Sequence, residues 1–111
     1  MSDKEKIDKF ISELKNDLRS RYNKNVAENA FKYEKDFHGR KSNVKIHLRE
    51  INKGTKIIRK IKGKNTYGVK GLTKYNEIRS MIRNKIKNSN SIQEEHSHSE
   101  TGVTLIVVSI K

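Results

Sequence analysis

Basic side chains concentrated in one stretch are the residues of this sequence best suited to chemistry. Residues 40–87 carry sixteen Lys and Arg against two acidic residues, Glu50 and Glu77, a net charge of +14 in a chain whose total is +13. Residues 1–39 carry +1, and the segment from Asn88 onward carries −2. Positive charge segregated in this way is typical of proteins that meet a polyanion, because Lys and Arg neutralise phosphates and release counterions.

We therefore predict that the basic stretch contacts DNA or RNA through phosphate groups, with no catalysis. Tyr67 lies between Lys64 and Lys70 in a glycine-rich segment, where its ring could stack on an unpaired base. A solvated surface enriched in lysine by an AT-rich genome is an alternative explanation of the charge, and an acidic protein partner is another. The residues expected at the interface are Arg40, Lys41, Lys45, His47, Arg49, Lys56, Lys60, Lys62, Lys64, Tyr67, Lys70, Lys74, Arg79 and Arg83.

Two smaller motifs could bind a phosphate or a metal ion. The segment Gly68-Val69-Lys70-Gly71 precedes a predicted helix, and its G-x-x-G form can cradle a phosphate through backbone N–H groups, although a plain glycine turn is the commoner meaning. His96 and His98, with Glu94, Glu95 and Glu100 nearby, could contribute to a divalent metal site. Two histidines do not complete such a site, so we expect no metal and no cofactor.

Catalysis by the basic stretch would have to work almost without carboxylates. A metal-dependent nuclease needs clustered acids, and only Glu50 lies on a predicted strand there. A metal-independent ribonuclease, as among small basic toxins, could use His47 as general base with Tyr67 assisting. No residue spacing identifies such an enzyme, and it stays an alternative to simple binding.

Hydrophobic periodicity predicts the helices that must position these residues. A capping box at Ser2 and Glu5 opens a first helix that runs to about Arg21, and the next helix would begin at an Asn25 cap and end near Gly39. The two form a predicted helical hairpin; the apolar stripe of the second is Val26, Ala30, Tyr33 and Phe37. A third helix begins at Thr73; its stripe is Tyr75, Ile78, Ile82 and Ile86, and a basic ridge is formed by Arg79, Arg83 and Lys87.

Alternating and continuous apolar runs predict the strands. Residues 44–49 alternate apolar and basic side chains, which indicates a half-buried strand; a turn at 52–54 and a return strand at 55–62 would complete a β-hairpin, and a short third strand is expected around 67–69. Residues 88–102 are polar and are predicted to be a flexible connector. Val103–Ile110 should be a buried interior strand that pairs with the hairpin.

The predicted order is therefore α-α-β-β-(β)-α-β, a single two-layer α+β domain of residues 1–111. Only 32% of the residues are hydrophobic, so the core is thin and a homo-oligomer is a possible route to stability. The chain has no cysteine and no apolar run long enough to cross a bilayer. We accordingly expect a cytoplasmic protein that makes no membrane contact.

The predicted helix at 73–87 followed by the strand at 103–110 is similar to the layout of phage tail-terminator and neck subunits. That resemblance implies a viral assembly subunit, in the virion or host cytoplasm, with ring-like oligomers and basic residues at subunit contacts or lining a DNA channel. The α-α-β-β-α order is also similar to the histone-like HU architecture, whose Arg-Asn-Pro arm tip is missing from this proline-free chain.

The orientation of the third helix decides whether the basic residues form one surface. If Lys45, His47 and Arg49 face the same side as Arg79 and Arg83, the charge makes one binding face. If that helix packs on the other side of the sheet, there are two separate patches, and simple duplex binding by the whole stretch is less favoured.

Overall fold

The computed structural model describes residues 2–36, 43–51, 60–61, 64–65, 69–70 and 72–111. In chain order the elements are helices α1 (Asp3–Arg21) and α2 (Lys24–Asn29), strands β1 (Phe31–Asp36), β2 (Asn43–Ile51), β3 (Lys60–Ile61), β4 (Lys64–Asn65) and β5 (Val69–Lys70), helix α3 (Leu72–Lys87), and strands β6 (Ile92–Glu100) and β7 (Val103–Ile110). The predicted α+β class is confirmed. None of the helices in the described residues is both long and apolar enough to cross a membrane.

The main sheet has the strand order β1-β2-β7-β6, with antiparallel pairing throughout. The short strand β5 pairs in parallel with the end of β2, at Glu50 and Ile51, and among the described strands β3 pairs with β4. The interior position predicted for Val103–Ile110 is confirmed, because β7 lies between β2 and β6. The end of the chain is thus held at the centre of the sheet.

One face of the sheet is covered by α1 and α3 and forms the core. Val44, Ile46 and Leu48 of β2 lie opposite Val108, Ile106 and Thr104 of β7, and each of these six residues is at most 1% exposed. The predicted apolar stripe of α3 and the apolar side of α1 pack against them; the buried helix residues are Ile7, Phe10, Ile11, Leu14, Leu18, Tyr75, Ile78, Ile82 and Ile86. We call this side the core face and the opposite side of the same strands the outer face.

Helix α1 begins where the sequence predicts. Ser2 is extended and caps the helix, since its hydroxyl oxygen accepts from the Glu5 backbone N–H at 3.2 Å. The same hydroxyl also donates to the Glu5 carboxylate, which adds a contact between the two side chains of the predicted capping pair. The acidic first turn and the basic last turn both complement the helix dipole.

The second predicted helix is mostly wrong. Asn23, not Asn25, caps α2 by accepting from the Val26 N–H at 2.9 Å, and the helix ends at Asn29. The chain then becomes β1, in which Phe31 and Tyr33 pair with Leu48 and Ile46 of β2. Tyr33 fits a helical stripe and a period-2 strand equally well, and cross-strand pairing with β2 decided between them. Phe37 and Gly39 lie outside the described residues.

The strand that forms a hairpin with β2 is also not the predicted one. Residues 43–49 of β2 have β7 along one edge, and residues 43–48 have β1 along the other. An antiparallel hairpin is therefore present, but β1 and β2 form it rather than β2 and a return strand at 55–62. The predicted turn at 52–54, most of that return strand and Tyr67 lie outside the described residues.

The predicted connector at 88–102 is wrong for most of its length, because Ile92–Glu100 forms the edge strand β6. A two-residue turn at Thr101 and Gly102 joins it to β7, and Gly102 has a φ of 75°. Glycine suits this turn for a second reason: a Cβ there would lie 3.1 Å from the Glu50 Oε2. Helix α3 is thus followed by two strands, where the tail-terminator layout has one.

Candidate nucleic-acid interface

Six of the predicted interface residues have described side chains. Lys45, His47 and Arg49 lie on β2, and Lys74, Arg79 and Arg83 lie on α3. Lys60, Lys64 and Lys70 belong to the short strands β3, β4 and β5, which the structure describes by their backbone. Arg40, Lys41, Lys56, Lys62 and Tyr67 lie outside the described residues, as do Gly68 and Gly71 of the predicted phosphate loop.

The structure separates the two described groups of basic residues. On β2, Val44, Ile46 and Leu48 face the core, so the alternate residues Lys45, His47 and Arg49 face outward. Helix α3 packs on the core face, so Arg79 and Arg83 lie on the other side of the sheet. The predicted binding surface is therefore two patches and not one.

The patch on the outer face mixes positive, negative and apolar side chains. Lys45 lies between Glu34 of β1 and Val107 of β7 in the strand register. Arg49 lies opposite Val103, which is 38% exposed, and Glu100 of β6 lies opposite Val103 on its other side. Glu34 comes from β1, the strand before β2, and Glu100 comes from β6, so the surface around the basic residues of β2 carries both signs of charge.

His47 is at the centre of this outer face and is half-buried. Burial lowers the pKa of His47, an effect that the nearby Glu34 opposes and Lys32 and Lys45 reinforce, so the ring is neutral at pH 7. Its Nε2 is buried and has no hydrogen-bond partner among the described residues. A general base must reach a substrate proton within hydrogen-bond distance, and this nitrogen is shielded from solvent. The structure therefore gives no support for general-base catalysis through His47 Nε2.

The other histidines lie on the edge strand β6. His96 and His98 both face outward, and His98 Nε2 lies 3.1 Å from Glu100 Oε1. Within the ranges that the structure describes, no group of three or more His, Cys, Asp or Glu side chains is placed to hold a metal ion.

The patch on α3 has a different composition. Arg79, Arg83 and Lys87 occur at every fourth residue and form a row that we call the α3 ridge. Arg83 Nη2 donates to two hydroxyls of β6, Ser97 Oγ at 3.4 Å and Ser99 Oγ at 3.3 Å, and the Arg79 guanidinium lies 5.5 Å from the centre of the Tyr75 ring. In the described part of the chain, no carboxylate lies within ion-pair distance of any ridge residue.

A buried hydroxyl network supports the middle of the α3 ridge. Tyr75 and Thr104, each 1% exposed, share a hydrogen bond between their hydroxyl groups. Thr104 Oγ1 lies 3.2 Å from Ser99 Oγ, which in turn accepts from Arg83. The network therefore links the sheet interior to the exposed guanidinium and limits the orientations that Arg83 can adopt.

Lys85 and Lys74 are also on α3 but are not part of the ridge. Lys85 Nζ lies 3.3 Å from both Glu13 Oε2 and Asp17 Oδ2 of α1. Burial alone would lower the pKa of Lys85, but the hydrogen bonds and charges of Asp17 and Glu13 outweigh it and the pKa is raised. Lys85 is thus a cation whose charge is already compensated.

Lys74 lies at the first turn of α3, beside the end of α1. Its Nζ is 5.8 Å from the centre of the Tyr22 ring, and the Tyr22 hydroxyl donates to Glu77 Oε2 at 2.7 Å. Burial, followed by the Glu77 carboxylate, raises the pKa of Tyr22. Lys74 therefore belongs to a contact between α1 and α3.

Sequence analysis missed the polar residues that β6 and the chain end bring to the α3 ridge. Ser97 and Ser99 share the core side of β6, and Lys111 follows β7 close to Lys87. The sequence feature that could have indicated them is the alternation of Ser with His at 96–99. This alternation places the two serines on one face only if the segment is a strand. No known protein family, characterised protein or solved structure matches the chain.

Proposed function

We propose that this protein binds nucleic acid through phosphate contacts made by the α3 ridge. The observation that carries the proposal is the lack of a carboxylate partner for Arg79, Arg83 and Lys87 in the described part of the chain. Lys85 on the same helix has two such partners. A row of uncompensated cations is an electrostatic footprint suited to a polyanion.

The spacing of the α3 ridge fits the spacing of phosphates. Arg79 and Lys87 are eight residues apart, which corresponds to about 12 Å along a helix axis. One strand of duplex DNA advances about 3.4 Å per nucleotide along its axis, so the row spans about three to four nucleotide steps. Contacts of this kind position a protein on the backbone and carry no base information, so we expect binding without sequence preference.

The test is a titration against duplex DNA, single-stranded DNA and RNA at several salt concentrations. Three phosphate contacts give a slope of log K against log salt of about −2.7 for a duplex and about −2 for a single strand. The double reversal R79E/R83E should weaken binding to all sequences alike and reduce the slope by about 2. The RNA should remain intact; appearance of cleavage products would support the ribonuclease alternative instead.

A matched control is the double reversal K4E/K24E, because both lysines are exposed and lie on α1 and α2 rather than on α3. It changes the net charge of the protein by the same amount as R79E/R83E, so it measures the effect of overall charge on binding. No binding at low salt, binding without a salt slope, or an equal loss in the two double variants would contradict the proposal.

A further inference from the structure

A groove between the C-terminal half of α3 and the edge strand β6 lies at one end of the α3 ridge. Its volume is about 410 Å³, within the range usual for small-molecule sites. Three cationic side chains line it: Arg83 and Lys87 from α3, and Lys111 from beyond β7. Glu94 is the one carboxylate among the described residues that line it. The side chains around the groove therefore carry a net charge of +2.

The rest of the groove combines apolar and hydroxyl groups. Ile86 and Ile92 are 5% and 1% exposed and contribute its apolar lining. Ser97, on the wall that β6 provides, accepts a hydrogen bond from Arg83 Nη2. A ligand that fits these surroundings has a compact anionic group and an adjacent flat or apolar part.

The Arg83 guanidinium contacts two hydroxyl groups of β6. Its Nη2 is shared by Ser97 and Ser99, and Ser99 is linked through Thr104 to the buried Tyr75 hydroxyl. The other N–H groups of its guanidinium have no acceptor in the described part of the chain. A planar guanidinium with free donors is well suited to bidentate recognition of a phosphate.

The charge of the groove distinguishes between two kinds of phosphate. A phosphomonoester carries about −1.5 to −2 at pH 7, whereas a diester within a strand carries one negative charge per phosphate. We propose that the α3–β6 groove binds a phosphomonoester attached to a nucleoside, either the terminal phosphate of a nucleic-acid strand or a free nucleotide. The inference rests on the proposed function, because Arg83 and Lys87 belong to both the groove and the α3 ridge.

The experiment compares oligonucleotides of one sequence that carry a 5′-phosphate, a 3′-phosphate or hydroxyl groups at both ends. We expect at least one phosphorylated form to bind about tenfold more tightly than the hydroxyl form, the effect of one further charge-assisted contact. A nucleoside monophosphate should compete with the phosphorylated form, and the same nucleoside without phosphate should not.

Substitutions of the groove residues should change the preference for a phosphorylated end in opposite directions. K111Q should bring the affinity ratio of phosphorylated to hydroxyl-ended oligonucleotide toward one, and K111R should restore it. E94Q should raise that ratio, since it removes the carboxylate that repels the phosphate; a variant that only damaged the fold could not strengthen binding. K24Q is the matched control, because Lys24 is exposed at the start of α2 and does not line the groove.

The outcomes separate this inference from the proposed function. Equal affinity for phosphorylated and hydroxyl ends, with binding still dependent on Arg79 and Arg83, would overturn the inference and leave the proposed function standing. Binding of a nucleoside monophosphate that is sensitive to K111Q and E94Q, without binding of any oligonucleotide, would support the groove and overturn the proposed function. Equal competition by nucleoside and nucleoside monophosphate would overturn the inference.

Discussion

The basic residues of β2 and those of α3 come from one stretch of sequence but enter different surroundings. Lys45 and Arg49 lie on an outer face where Glu34 and Glu100 belong to the same two cross-strand rows. On α3, Arg83 instead meets two serine hydroxyls of β6. The net charge of a segment therefore does not predict the electrostatic field at its surface, because the fold determines which side chains lie beside it.

The difference follows from how strands and helices place their side chains. A strand in the middle of a sheet has a neighbour on each side, so Lys45 and His47 of β2 face residues from both β1 and β7, and Arg49 faces Val103 of β7. A helix packed on one face of a sheet has a solvent-facing side without cross-strand neighbours. Among the described cations of α3, Lys85 forms ion pairs, because α1 approaches it with Glu13 and Asp17.

The largest expected effect concerns the network below the α3 ridge. Thr104→Val keeps the shape of the side chain but removes the partner of the buried Tyr75 hydroxyl. Leaving a buried polar group unsatisfied should lower the free energy of unfolding by about 1–3 kcal/mol, measured by chemical denaturation. The same change at Thr101, exposed in the turn before β7, should alter it by less than about 0.5 kcal/mol. Equal losses in the two variants would contradict a specific role for the network.

A second prediction compares two lysines on the same helix. K87Q should weaken binding to duplex DNA several-fold and reduce the salt slope by about 1, since Lys87 is proposed to contact a phosphate. K85Q should leave the affinity within about twofold, because Glu13 and Asp17 already hold the Lys85 charge. Fluorescence anisotropy titrations of both variants measure the affinity for duplex DNA. An equal loss of affinity would show that binding depends on total charge and not on whether a lysine is already paired with carboxylates.

The smallest expected effect concerns His47 on the outer face. Its folded-state pKa is lowered by burial from the ordinary 6.5, so below pH 6.5 the unfolded state binds more protons than the folded state. The free energy of unfolding should therefore decrease as pH falls from 7 through 6.5 toward the folded-state pKa. H47Q should lose this part of the pH dependence, and H98Q, at an exposed position, should keep it. Parallel pH profiles for wild type and H47Q would contradict the burial of His47.

The elements with strong periodicity could be predicted from the sequence. Helices α1 and α3 and strands β2 and β7 each carry an apolar pattern that burial confirms. Strand β6 has no such pattern, because an edge strand can be held by backbone pairing along one side and only Ile92 of its nine residues is buried. Tyr33 fits two periods, and only the long-range pairing with β2 decides for a strand.

The candidate site could be predicted from the sequence only in part. The positions of Arg79, Arg83 and Lys87 on one helix face follow from their spacing. That Ser97 and Ser99 would reach Arg83 depends on the unpredicted strand β6. The presence of Glu34 beside Lys45 depends on a register between segments that sequence analysis had assigned to a helix and a strand.

The most direct test compares two double charge reversals that alter the net charge by the same amount. R83E/K87E changes the α3 ridge, and K45E/R49E changes the outer face. Both variants and the wild type are titrated against one duplex at several salt concentrations, after a check that each variant is folded. The account predicts that R83E/K87E loses tenfold or more in affinity and about 2 in salt slope, while K45E/R49E loses far less of both. Equal losses in the two variants, or a larger loss in K45E/R49E, would contradict it.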